Sequence, residues 1–167
     1  MIPEVLCQDP PGSNDFGFRG FYYRNDLQKS SCLRQLAAAS KIVVMDRYFV
    51  STMSHFVASR HLQGKLLAAD FESVLSALYA DHYSVAVQPT HWIFLRSDAV
   101  RSWDRYRRIR VMDHSSLWTS RAGTGMIAKA MEICLRSREI CAGTTLILDA
   151  DAGVDRHVEQ VREAICL

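Results

Sequence analysis

Short apolar runs of β type alternate along this chain with longer stretches of helical period, and that alternation limits the fold more than any other feature. Ile42 to Met45 read as a strand buried on both faces, His91 to Leu95 as a second buried-type strand and Thr144 to Leu148 as a third apolar strand. A shorter candidate, Glu4 to Gln8, is stopped by Asp9-Pro10-Pro11-Gly12-Ser13-Asn14-Asp15, whose prolines and glycine suit a loop. Helical spacing appears in Phe18 to about Ser40 (Leu27, Leu33, Leu36, Ala37), Ser51 to Arg60 (Met53, Phe56, Val57) and Ala68 to Tyr83 (Phe71, Val74, Leu75, Leu78). Ile127 to Cys141 and Val154 to Ile165 complete the helices, with Gln63-Gly64-Lys65 and His114 to Gly125 as breaks. The connections are long enough for right-handed parallel crossovers, which predicts an α/β fold, a three-layer α/β/α sandwich with a mainly parallel sheet.

With 167 residues, 49% hydrophobic and 23% charged, the chain suits a single globular domain spanning 1–167. A formal charge of +2 is too small to argue for nucleic acid or a membrane surface as a general partner. The five cysteines are scattered, odd in number and without a C-x-x-C pair, which predicts reduced thiols rather than a disulfide framework or a zinc site. No apolar run approaches the ~20 residues of a membrane helix, and Met1-Ile2-Pro3-Glu4 has no basic n-region. The expected address is the cytoplasm or the mitochondrial matrix.

Two stretches carry candidate chemistry. Asp46-Arg47-Tyr48 follows the first long apolar run directly, at the carboxyl end where parallel sheets place their ligands. A carboxylate there can hold Mg²⁺ directly or through water, and a guanidinium can grip a phosphate with two hydrogen bonds. The alternative is an acid and base that only cap the next helix. Arg96 to Arg110 contains six arginines against two aspartates, with Arg101, Arg105 and Arg108 at i, i+4 and i+7, one helix face. Such a segment suits closure over phosphates, a nucleic-acid backbone, or plain surface exposure. Phe21-Tyr22-Tyr23 with Arg24 and Asn25 could stack a base and bond its edge, or start a helix in the core. Asp149 to Gly153 is a turn suited to an adenine but common elsewhere. The six histidines are dispersed without ligand spacing, and no G-x-S-x-G elbow occurs.

In this order the pieces resemble the thymidylate kinase family of P-loop nucleoside monophosphate kinases, including its UMP–CMP kinase-like branch. Val43-Val44-Met45-Asp46-Arg47-Tyr48 followed by Ser51-Thr52 is similar to that family's strand with its Asp-Arg-Tyr signature. Pro89 and Ile93-Phe94-Leu95 before the arginine helix resemble its fourth strand and lid, here about 96–125. Leu146 to Ala150 resembles its last strand, and Cys7 to Gly12 its second strand and loop.

The resemblance implies ATP-dependent phosphorylation of a pyrimidine (deoxy)nucleotide such as dTMP, with Mg²⁺. It makes Asp46, Arg47 and Arg105 catalytic, with Asp46 assisting the metal. Arg47, Tyr48, Phe21, Tyr22, Arg24, Asn25 and Ser51 would take the monophosphate, and Arg101, Arg105, Arg108, Asp149 and Ala150 the donor nucleotide. The expected partners are a nucleoside monophosphate, ATP and a second copy of the chain.

Two departures stand out. Thr90 replaces the acid that usually follows the proline, and no G-x-x-x-x-G-K-[ST] occurs, Gly64-Lys65 being followed by Leu66. On this resemblance the domain is N-terminally incomplete, lacking a central strand, phosphate loop and helix of roughly 30 to 40 residues. A reading of a different class follows from the same absence: a non-catalytic nucleotide-binding or interaction protein.

Overall fold

A computed structural model describes residues 14–39, 42–109 and 120–165. The candidate strand Glu4 to Gln8, with Cys7 to Gly12, lies outside the described residues, as do the side chains of Phe21 and Arg108. Two of the three long apolar runs become strands: β1 (His91–Arg96) and β2 (Thr144–Asp149) pair in parallel, from His91 opposite Thr144 to Arg96 opposite Asp149. Gly143 is what lets β2 enter this register. A Cβ there would run into the carbonyl oxygens of Pro89 and Thr90, and the Thr144 N–H donates to the Thr90 carbonyl at 2.8 Å.

The helices are α1 (Asn14–Ala39), α2 (Phe49–Leu62), α3 (Phe71–Leu78), α4 (Ala99–Ile109), α5 (Arg121–Arg136) and α6 (Val154–Ala164). A π-helical turn over Tyr79–Tyr83 extends α3 and turns both tyrosines into the core. The Ser120 hydroxyl accepts from the Gly123 N–H at 2.9 Å, so α5 begins at Arg121 and takes in part of the expected polar connection. It also ends at Arg136, before the expected Cys141.

The core is centred on a helix rather than on the sheet. Phe49, Val50, Met53, Ser54, Phe56, Val57 and Ala58 of α2 are all buried, more than one face of a helix can supply. Phe49 is the hub: its ring lies 5.3 Å from Tyr83, 5.4 Å from Trp92 and 4.8 Å from Tyr48. α5 packs along α2 and supplies Ala130, Cys134 and Leu135 to the same cluster. Burial pushes the Cys134 and Cys141 thiols up to about 12, which keeps both protonated and unreactive.

The strand expected at Ile42 to Met45 is corrected. This run is irregular, and Ile42 and Val44 are 53% and 88% exposed. An apolar run becomes a buried strand only where neighbours take up its backbone hydrogen bonds, and among the described residues the one ladder is β1 with β2. The described architecture is therefore α/β, with six α-helices and a two-stranded parallel sheet. Among the described residues no helix is long and apolar enough to cross a membrane.

Candidate phosphate pocket at the carboxyl end of the sheet

Parallel pairing brings the carboxyl ends of β1 and β2 to one edge, with Arg96 opposite Asp149. What each strand delivers beyond that edge is fixed locally. After β1, the Asp98 carboxylate accepts from the N–H groups of Val100 (2.9 Å) and Arg101 (3.2 Å), which starts α4 at that point. Arg101 and Arg105, one turn apart on α4, then reach the turn after β2. There Arg101 Nη1 meets Asp151 Oδ2 at 2.9 Å and Arg105 Nη2 meets Asp151 Oδ1 at 2.7 Å. Arg105 also donates to the Ser97 hydroxyl at 2.8 Å.

The turn itself is tied at both ends. Ala150 N–H donates to the Arg96 carbonyl (2.9 Å), Asp151 N–H to the Asp149 carboxylate (3.0 Å) and Ala152 N–H to the Asp149 carbonyl (2.9 Å). Gly153 follows at φ 88°, a left-handed conformation that swings the chain into α6 at no steric cost.

Between these segments and α5 lies a cavity of about 560 Å³. Arg96, Arg101 and Lys129 line it together with Asp98, Asp149, Asp151 and Glu132. The acids are engaged within the fold: Asp98 caps α4, Asp149 holds the turn, Asp151 bridges two arginines, and Glu132 takes Arg136 at 3.4 Å. Among the described residues, Arg96 has no such acidic partner. Chemically, the cavity sets guanidinium and ammonium groups, of a kind that binds anionic oxygens, beside four carboxylates.

The other predicted residues lie apart from this cavity. None of Asp46, Arg47, Tyr48, Tyr22, Arg24, Asn25 or Ser51 lines it. Asp46 and Arg47 are exposed in the link before α2, and Arg47 sits at φ 55°, a left-handed conformation that an L-residue adopts at a cost. The Lys29 ammonium donates to the Arg47 carbonyl at 3.4 Å. His55, on α2, is held down to about 4 by burial first and by the Arg47 charge second, and is neutral at pH 7. Tyr48 is a core residue: it is 5% exposed, its ring stacks on Trp92 at 6.5 Å, and its carbonyl accepts the Ser51 N–H at 2.8 Å. Its hydroxyl is buried beside Ser30 without a well-formed hydrogen bond, and burial raises its pKa. On α1, Tyr22 and Arg24 are exposed and Asn25 is half-buried, as is Ser51 on α2.

Sequence reading missed the roles of two acids. Asp26 is 3% exposed on α1; it accepts from Thr52 Oγ1 at 2.7 Å and from the Tyr83 hydroxyl at 3.4 Å, and burial raises its pKa. A lone aspartate in a helical stretch gives no signal of this. Asp151 was legible in principle, because parallel pairing of the two runs sets an acidic turn beside a basic one. Scans of protein-family models and searches of curated proteins and of solved structures find no match to the chain.

Proposed function

We propose that this chain is a nucleotide-binding protein of the nucleoside monophosphate kinase type, with a three-layer sandwich fold, that takes the phosphates of ATP in the pocket at the carboxyl end of β1 and β2. The observation that carries the reading is the convergence of Arg96, Arg101 and Lys129, with Arg105 alongside, on one cavity at that edge. Guanidiniums there neutralise phosphate oxygens and would stabilise the charge of a transferred phosphoryl group. Asp149 and Ala150 then border the adenine side, while Arg47 takes the monophosphate of a pyrimidine (deoxy)nucleotide.

A Mg²⁺ ion would be held by Asp46 with phosphate oxygens and water, since such sites use one or two carboxylates, and it would supply neutralisation of phosphate charge. Among the described residues no group of three or more acids, histidines or cysteines forms a metal cage. A second copy of the chain remains an expected partner.

A second reading is favoured by one observation: the 167 residues contain no phosphate-loop motif. In that reading the pocket binds nucleotide without transfer. A coupled ADP-release assay with ATP and dTMP, dUMP, CMP or UMP, run beside calorimetric titration with ATP, separates the two. Turnover supports the kinase. Binding without turnover supports the second reading, and no ATP binding by the full chain overturns both.

A further inference from the structure

Arg101, which lines the pocket, and Arg105, one turn further along α4, are already bridged. Asp151 gives one carboxylate oxygen to each, Oδ2 to Arg101 at 2.9 Å and Oδ1 to Arg105 at 2.7 Å. Two oxygens of one phosphate would make the same pair of contacts, because a carboxylate and a phosphate edge both accept guanidinium hydrogen bonds side by side. We propose that Asp151 is a built-in competitor for the phosphate group: it occupies the Arg101–Arg105 pair and is displaced when a nucleoside di- or triphosphate enters. This rests on the nucleotide reading given above.

Three observations suit displacement rather than a permanent structural bridge. Both ion pairs are solvent-accessible, the arginine side chains being 69% and 48% exposed and the aspartate 34%, so breaking them costs little. Arg105 has a second tether in the hydroxyl of Ser97, a pocket-lining residue, at 2.8 Å, which would keep its guanidinium beside that residue after the carboxylate leaves. The turn that carries Asp151 is anchored by backbone bonds to Asp149 and to β1 that do not involve the carboxylate, so the side chain can swing away without unravelling the turn.

The contact also explains how four engaged acids coexist with a phosphate site. Asp98 is taken up by backbone N–H groups of α4, Asp149 by the turn and Glu132 by Arg136, and Asp151 alone meets the Arg101 and Arg105 guanidiniums, where the anion would stand. The consequence is a raised threshold: weak anions fail to replace a carboxylate that is covalently held beside its partners, whereas a polyphosphate succeeds.

The experiment is calorimetric titration of the full chain, its Asp151→Asn variant and its Asp155→Asn variant with pyrophosphate and, separately, ATP. Asp155 lies in the first turn of α6, is exposed and does not line the pocket, so its variant removes one nearby charge without releasing the arginines. Asp151→Asn is expected to tighten binding about 5- to 20-fold, the worth of two exposed ion pairs, and Asp155→Asn less than about twofold. A gain for ATP and pyrophosphate alike assigns the contact to the phosphates; a gain for ATP alone assigns it to a nucleotide whose base is also held. Equal or weaker binding by Asp151→Asn while the wild-type chain binds, or an equal gain from Asp155→Asn, overturns the inference and leaves the nucleotide reading standing. No binding of either probe by any of the three chains overturns both.

Discussion

The packing around α2 and the edge beyond β1 and β2 use their polar groups in opposite ways. Around α2 the polar atoms are drawn inward: Asp26 is bonded to Thr52 and Tyr83, Tyr48 is buried, and His55 is held neutral. At the sheet edge the charged groups stay in water, joined by ion pairs that solvent can reach. Buried polar groups are costly to disturb and serve the fold, while exposed ion pairs contribute little stability and are free to exchange partners. The difference separates what holds this chain together from what is available to a ligand.

Phe49→Ala empties the hub of the aromatic cluster and is expected to cost about 3–5 kcal/mol in urea unfolding, whereas Arg101→Ala should cost less than about 1 kcal/mol. Similar losses from both would mean that the sheet edge is structural after all.

Acid provides the next largest effect. His55 has a folded pKa of about 4 against an ordinary 6.5, so the fold favours its neutral form. Its contribution is present above pH 6.5 and is lost as pH falls toward 4, up to about 3 kcal/mol. Unfolding followed at pH 7, 5.5 and 4 should show that slope, and His55→Gln should flatten it. Asp26 has the opposite sign: with its pKa raised above 3.8, its contribution is present below that value and lost as pH rises through the folded one. A fall steepened, rather than flattened, by His55→Gln would count against a buried neutral imidazole.

Arg47 gives the smallest effect and tests the region where the two uses meet. Its left-handed backbone costs about 1–2 kcal/mol for an L-residue, and glycine returns some of that as chain entropy, so Arg47→Gly should raise stability by about 0.5–1 kcal/mol. The same change should weaken monophosphate binding if the guanidinium serves a ligand. A gain in stability with unchanged binding would leave Arg47 to the fold alone.

The elements that sequence made legible are those whose periodicity matches their final neighbours. β1 and β2 have each other, and α1, α2 and α6 follow their apolar spacing to within a few residues. Ile42 to Met45 has the composition of a strand, but composition does not supply a partner, and among the described residues it has none. The arginines of α4 were visible as an excess of charge, whereas their shared acid lies 46 to 50 residues further on and becomes a neighbour only through the parallel crossover. Asp26 was hidden for a related reason: burial is a property of packing, and nothing in the surrounding run distinguishes it from a solvated helix residue.

On the proposal above, the carboxyl edge of the sheet is, through Arg101 and Arg105, a phosphate site whose groups do not hold the fold together. The most direct measurement is calorimetric titration of ATP into the wild-type chain and the Arg101→Ala/Arg105→Ala double variant, with the melting temperature of each recorded alongside. The account predicts ATP binding by the wild-type chain, loss of at least about tenfold in affinity for the variant, and melting temperatures within a few degrees of each other. Equal ATP affinity for the two chains would contradict it.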